Sequence, residues 1–328
     1  MHMADALVSS GVAGTMYACS AVAAGFSLKK IKTDDLNQKV PLMGVMGAFV
    51  FAAQMINFTI PGTGSSGHLT GGMMLSALLG PQAGFLTMVA VLLIQCLVFA
   101  DGGLLALGCN IWNMGFYGCF VGYLIWRMFM RGGMSSRRII MASLTGCVLA
   151  LQLGALSVTL ETLTSGITEL PFTVFLGFMQ PVHLAIGLVE GLITAAILLF
   201  VFRTRPQLIL GYDQSKDSRL KTSTIVSILA AAAIVTGGFL SLFASSNPDG
   251  LEWSIERVTG NTEIEAVTTM QHNASLMQEK LALLPDYDIP AGSEGFGTSL
   301  SGIAGAFMVL ILCVSICLVI RKKKRAAS

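Results

Sequence analysis

Apolar blocks of about 20 residues or more alternate along this chain with short polar stretches that hold most of its basic residues. One helical crossing of a bilayer needs a run of that length. The pattern therefore predicts helical spans near residues 6 to 28, 41 to 59, 82 to 100, 104 to 127, 137 to 160, 172 to 202, 222 to 244 and 299 to 320. The stretch HLTGGMMLSALLGPQAGFLTMVAVLLIQCLVFA would be about 50 Å long as one helix, too long for one crossing. It is expected to break at Gly80, Pro81 and Gln82, which leaves a short or partly re-entrant helix from about Leu69 to Leu79.

Charge decides how that short helix counts. The basic clusters are Lys29, Lys30, Lys32 and Lys39; Arg127, Arg131, Arg137 and Arg138; Arg203, Arg205, Lys216, Arg219 and Lys221; and RKKKR from Arg321. The positive-inside rule puts all four on the cytoplasmic side. They share a side only if the short helix supplies a crossing of its own. The expected fold is then an all-α polytopic membrane protein with about nine crossings, the amino terminus outside and the carboxyl terminus inside. No basic region precedes the first span and Lys29 and Lys30 follow it, the reverse of a cleavable signal peptide. Met1 and His2 are therefore expected to remain, and a bulky second residue also disfavours removal of the initiator methionine.

Composition narrows the function. The chain is 54% hydrophobic and 12% charged over 328 residues, with a net charge of +2, so nothing points to nucleic acid. All seven cysteines lie in apolar segments, which excludes a disulfide framework; Cys313 and Cys317, at i and i+4, read as packing residues. No G-x-x-x-x-G-K-[ST] loop is present, so any ATP-derived energy must come from another subunit.

The amino terminus carries the candidate chemistry. The Met1 amine, the His2 amide nitrogen and the His2 imidazole Nδ1 can close a five-membered and a six-membered chelate ring around one divalent ion. Binding through an amide nitrogen requires its deprotonation, which favours nickel and copper over zinc. His68, in the glycine-rich stretch NFTIPGTGSSGHLTGG on the same expected side, is the candidate fourth nitrogen. Gly62, Gly64, Gly67, Gly71 and Gly72 allow the sharp turns that irregular chain at membrane depth needs.

The motifs MHMADAL, GTGSSGHLTGG, LGCNIWNMG and PVHLAIGLVEG resemble, in order and spacing, those of the NikM/CbiM family, the metal-capturing membrane subunits of energy-coupling factor (ECF) transporters. The resemblance covers residues 1 to about 210. It implies a seven-helix core with the amino terminus tucked inside, Met1, His2 and His68 as ligands, and transported Ni²⁺ or Co²⁺ rather than a resident cofactor. It also implies a membrane scaffold subunit and two cytosolic ATPases as partners, in a bacterial or archaeal plasma membrane. MHMADAL resembles the nickel-type start, and the square-planar preference of Ni²⁺ points the same way.

Other polar residues remain open. His183 and Glu190 lie seven apart on one expected helix, with Gln180 three residues before His183. They either support the metal and its path or lock neighbouring helices together. Asn110 and Asn113 suit hydrogen bonds between helices or to a loop. Met73, Met74, Met88, Met114 and Met179 suit core packing.

Beyond a 206–221 linker, residues 222–328 resemble the NikN/CbiN-type accessory module, with PDGLEWS at Pro248 to Ser254 between two spans. Its 245–298 loop is acidic on balance, through Asp249, Glu252, Glu256, Glu263, Glu265, Glu279, Asp286, Asp288 and Glu294, and either steers cations or is merely solvated. His272 is expected to be exposed. The chain thus divides into a core at 1–205, the linker and the module.

Two other functions compete. An autonomous channel or proton-coupled carrier usually places several ionisable residues in its spans, and through residue 202 Glu190 is the only acid deep in a predicted span. An intramembrane metalloenzyme needs an open metal position and a general base, and a closed N4 plane with no carboxylate expected nearby supplies neither. For the orientation, cysteines introduced at Gly260 and Ser215 should react with an impermeant reagent from outside and inside respectively. Labelling on opposite sides would overturn the nine-crossing arrangement.

Overall fold

The computed structural model describes residues 1–31, 33–212, 221–289 and 296–326. The expectations on Lys32, Lys216, Arg219 and Glu294 lie outside the described residues, as do those on the side chains of Lys39, Arg321 and residues 323–325. The long apolar blocks are helices: α1 (Ser10–Lys30), α2 (Thr33–Gln54), α4 (Pro81–Phe99), α7 (Ser136–Ser165), α8 (Phe172–Thr204), α9 (Thr222–Gly238) and α12 (Phe296–Ala326). Of these, α1, α4, α7, α8 and α12 are long and apolar enough to cross a bilayer. The fold is that of a mostly helical, multi-pass membrane protein.

The expected break is present. A short helix, α3 (Gly72–Leu79), ends at Gly80, which takes φ +88°, and Pro81 then opens α4 where its missing N–H costs nothing. All eight residues of α3 are buried. At about 12 Å, α3 is far too short to cross a bilayer alone. The chain on either side of it is tied to distant segments: Ser66 N–H donates to Pro248 O at 2.8 Å, and Leu210 N–H donates to Ala77 O at 2.9 Å.

Three features differ from the sequence expectation. The span expected to reach residue 59 stops at Gln54, and a hairpin follows, with β1 (Phe58–Ile60) antiparallel to β2 (Ser65–Gly67) and Phe58 opposite Gly67. Between α4 and α7 the chain is helical but not regular: α5 (Leu107–Asn110) runs into a π-helical stretch, Ile111–Val121, then α6 (Gly122–Met130). The expected polar loop of 245–298 folds into α10 (Gly250–Thr259) and α11 (Thr269–Leu281), each opened by a capping box, from Asp249 and Thr268.

The π-helical stretch and α3 meet at their glycines. A Cβ on Gly118 would stand 2.9 Å from Gly72 Cα, main chain that has no room to yield. Gly118→Val should therefore destabilise the fold by about 3 kcal/mol through overpacking. Gly177→Val, whose Cβ meets nothing within 4 Å, should have little effect. Unfolding midpoints in detergent check the pair.

Candidate metal centre

The first residues run inward: Met1 is 4% exposed and Met3 fully buried. Asn110 holds them there. Met3 N–H donates to Asn110 Oδ1 at 2.7 Å, and Asn110 Nδ2 donates back to Met3 O at 3.1 Å, as a neighbouring strand would. Gly103 N–H also donates to Met3 O at 2.8 Å, and Ala106 N–H to Asp5 Oδ1 at 3.0 Å. Gly102, at φ +78°, and Gly103 let the loop approach this closely: a Cβ on Gly102 would fall 2.7 Å from Asn110 Nδ2, and one on Gly103 would overlap Asp5. Asn113 donates from Nδ2 to Glu161 Oε2 at 2.7 Å and lies 3.6 Å from Met3 Sδ.

This clamp delivers the Met1 amine to His68. The amine is 3.2 Å from His68 Nε2. His68 Nδ1 faces Leu69 O at 3.2 Å; since a carbonyl only accepts, Nδ1 carries the proton and Nε2 presents its lone pair to the amine. The His2 ring stacks on His68, centroids 5.2 Å apart and planes 21° from parallel. His2 Nδ1 stands 3.2 Å from Asp101 Oδ1 and Nε2 3.3 Å from Gln95 Oε1. Gln95 Nε2 in turn donates to Gln54 Oε1 at 2.7 Å, and Gln54 Nε2 to Thr70 O at 2.8 Å. Burial lowers the His2 pKa below its ordinary value against the upward pull of Asp101. Among the described residues no three His, Cys, Asp or Glu side chains group into a metal cage.

A carboxylate completes the centre. Asp249 ion-pairs with the Met1 amine through Oδ2. Its other oxygen caps α10, accepting Leu251 N–H at 2.7 Å and Glu252 N–H at 3.0 Å. The segment before it lies along β2, where Ser66 Oγ donates to Asn247 O at 2.8 Å. Burial alone would raise the Asp249 pKa, but the Met1 ammonium overcomes it and holds the carboxyl below the usual range. The expectation of no nearby carboxylate is thus corrected twice, by Asp249 and by Asp101. These two, with His2, His68 and Glu252, line a cavity of about 730 Å³. From above, Gln271 Nε2 donates to Asp5 O at 3.0 Å, and Gln278 Nε2 to Gly102 O at 2.7 Å; His272 is exposed.

The remaining candidates separate. Glu190 accepts from Thr70 N–H at 3.0 Å, Thr70 Oγ1 at 2.7 Å and Gly71 N–H at 3.0 Å, so it fixes the turn entering α3 and does not pair with His183. His183 is 1% exposed, with Nδ1 2.8 Å from Met179 O. Gln180 does not reach the centre; it exchanges hydrogen bonds with Gln152, Nε2 to main-chain oxygen, at 2.9 and 3.2 Å. Met73, Met74, Met88, Met114 and Met179 are buried in the core. Glu161, which the sequence reading placed just past a span, is a second buried acid inside a helix.

Known proteins share this arrangement of sequence. The profile described as the cobalt uptake substrate-specific transmembrane region, CbiM, matches residues 2–208. The chain belongs to the CbiM family. Its CbiM region is followed by a match to the PDGLE domain at residues 223–322. An Archaeoglobus fulgidus protein that bears the name fused nickel transport protein NikMN is 34% identical over 322 residues, covering 95% of this chain and 96% of its own. The fused nickel transport protein LarMN of Lactiplantibacillus plantarum is 27% identical, with 95% and 96% covered. A crystal structure of a transition metal transporter superposes with a TM-score of 0.53 at 30% identity, covering 61% of this CbiM-family chain and 92% of its own.

Removing the Asp249 charge leaves a buried ammonium without its counter-ion. Asp249→Asn should lower stability by about 3 kcal/mol and free the amino terminus, which limited labelling by an amine-reactive reagent would detect. Glu256→Gln, on an exposed residue of α10, should change neither.

Proposed function

We propose that this CbiM-family chain captures a divalent transition metal, Ni²⁺ in preference to Co²⁺, on the outer face of a bacterial or archaeal plasma membrane. It serves as the substrate-binding subunit of an ECF-type importer. A transmembrane scaffold subunit and two cytosolic ATPases supply the energy. The ligands are the Met1 amine, the His2 amide and imidazole, and His68 Nε2. Residues 1–205 form the capturing core and 222–328 the accessory module.

One observation carries this reading: a buried amine lies 3.2 Å from the lone pair of a buried imidazole. Two nitrogens at right angles around one ion, each about 2 Å away, lie about 2.8 Å apart. A closure of a few tenths of an ångström therefore converts the pair into two ligands. His2 Nδ1 must turn from Asp101 to complete the six-membered ring. The deprotonated amide favours nickel, and the name of the Archaeoglobus fulgidus relative agrees. The donors are all nitrogen, and a closed plane of four nitrogens leaves no in-plane position for water, so we read the metal as cargo and not as a catalytic ion.

The autonomous carrier has one observation in its favour, the second intrahelical acid, Glu161. Uptake separates the two readings. Ni²⁺ entry into proteoliposomes should require the scaffold and ATPase subunits with ATP, and uptake by the chain alone would favour the carrier. In the complete assembly, one or two residues added before Met1, or His2→Ala, should abolish tight Ni²⁺ binding. His68→Ala should weaken it, and a carboxyl-terminal tag should not affect it. Equal uptake by the N-extended and C-tagged proteins would remove Met1 from the ligand set.

A further inference from the structure

His183 has the wiring of a metal ligand without a ligand's partner. Its Nδ1 faces Met179 O at 2.8 Å, so that nitrogen carries the proton and Nε2 holds the lone pair. His68 is tied in the same way, through Leu69 O. Metal-binding histidines characteristically donate their second ring N–H to a carbonyl or carboxylate, which fixes the tautomer. Yet His183 Nε2 is buried and finds no hydrogen-bond partner among the described residues. Leaving such an acceptor bare costs about 1–3 kcal/mol. Glu190, two turns along the same helix, accepts from Thr70 N–H, the Thr70 hydroxyl and Gly71 N–H, so the two polar groups of this face are treated in opposite ways.

The surroundings show what the nitrogen serves. His183 lines a cavity of about 10 Å³ together with Met1, His68, Asp249 and Gly250. That volume is at or below what one water needs, and suits a bare cation. Gly250 keeps the ring uncovered: a Cβ there would fall 3.0 Å from His183 Cε1 and 3.3 Å from Nε2. Ile186 and Leu151, also in the lining, are apolar, and the Thr70 hydroxyl is committed to Glu190. The polar neighbours left are the Met1 amine, His68 and the Asp249 carboxylate.

We propose that His183 Nε2 is a metal ligand which, with the Asp249 carboxylate, forms a second and weaker position for the divalent ion beside the terminal chelate. The inference rests on the capture reading above. Its chemistry complements that chelate. Bonds to a deprotonated amide in a square plane are strong and slow to break, and substitution at such a plane begins with entry of a fifth ligand. A neutral imidazole and a carboxylate bind late divalent ions without removing an amide proton, hence more weakly. A transport protein needs such a step, because an ion must leave as well as enter.

The test uses the full chain with an authentic amino terminus in detergent, with Ni²⁺ and Co²⁺ as probes. His183→Ala should leave the equilibrium affinity for Ni²⁺ nearly unchanged, yet slow exchange of bound Ni²⁺ against labelled Ni²⁺ about tenfold or more. The retained tight site shows that this variant folds. Gly250→Val, which covers Nε2 and keeps the imidazole, should slow exchange in the same direction. In His2→Ala, weak Co²⁺ binding with visible imidazole-ligand bands should persist, and adding His183→Ala should remove it. Should His2→Ala lose the tight site while the His183 and Gly250 variants exchange at the wild-type rate, the second position is overturned and the capture reading stands. Should His2→Ala keep the tight site, the capture reading falls and this inference with it.

Discussion

A primary amine held inside a membrane protein is the constraint from which the rest of this structure follows. An ammonium taken out of water without a partner costs several kcal/mol, so each group around Met1 has a defined task. Asn110 and Gly103 hold the main chain of Met3 and so fix where the amine arrives. Asp249 supplies the opposite charge, and His68 the lone pair. The irregular features of the core serve that delivery. The π-helical stretch follows directly on Asn110 and contains Asn113, and the glycines at 102 and 103 bring the loop against residues 2 to 5.

The PDGLE segment is consequently part of the centre and not an appendage to it. Asp249 divides its two oxygens between two incompatible-looking roles, capping α10 with one and holding the Met1 amine with the other. The cap fixes the carboxylate, and a fixed carboxylate is a better counter-ion than a mobile one. The contact of Asn247 and Pro248 with Ser66 ties the same segment to the strand that leads to His68. The amine with its histidines and the counter-charge therefore come from the two separate modules of the chain and meet through one short strand edge.

How much of this could be read from the sequence depends on the range of the signal. Apolar run length located the long helices, and Gly80 followed by Pro81 located the break, because both are local properties of the chain. That His2 and His68 come together beside the Met1 amine was legible because histidines are scarce here and both lie on the same expected side. Asp249 was not, since an Asp three residues before Glu252 reads as a helix cap, which it also is; its second oxygen leaves no mark in the sequence. Asp101 was hidden as an ordinary loop acid. Glu161 was missed by a boundary: α7 runs to Ser165, beyond the apolar block that defined the span, and Glu161 is buried there with Asn113 Nδ2 bound to it. The Gln54–Gln95–His2 chain joins three separate segments, and no pattern within any one of them announces it.

Charge accounting links the centre to its cargo. With the amine protonated and Asp249 ionised, this pair is neutral. In the proposed chelate a divalent ion brings two positive charges, while the amine and the His2 amide each give up one proton. The amide is then negative, the amine and imidazoles are neutral, and Asp249 still carries its charge, so the sum is again zero. Exchange of one divalent ion for two protons thus leaves the buried site at the same net charge. In a low-dielectric interior the electrostatic cost of a change in net charge is severe. A carboxylate held beside the amine is what lets the same pocket accept either the protons or the metal, and without it only the protonation states that bring no net charge would be tolerated there.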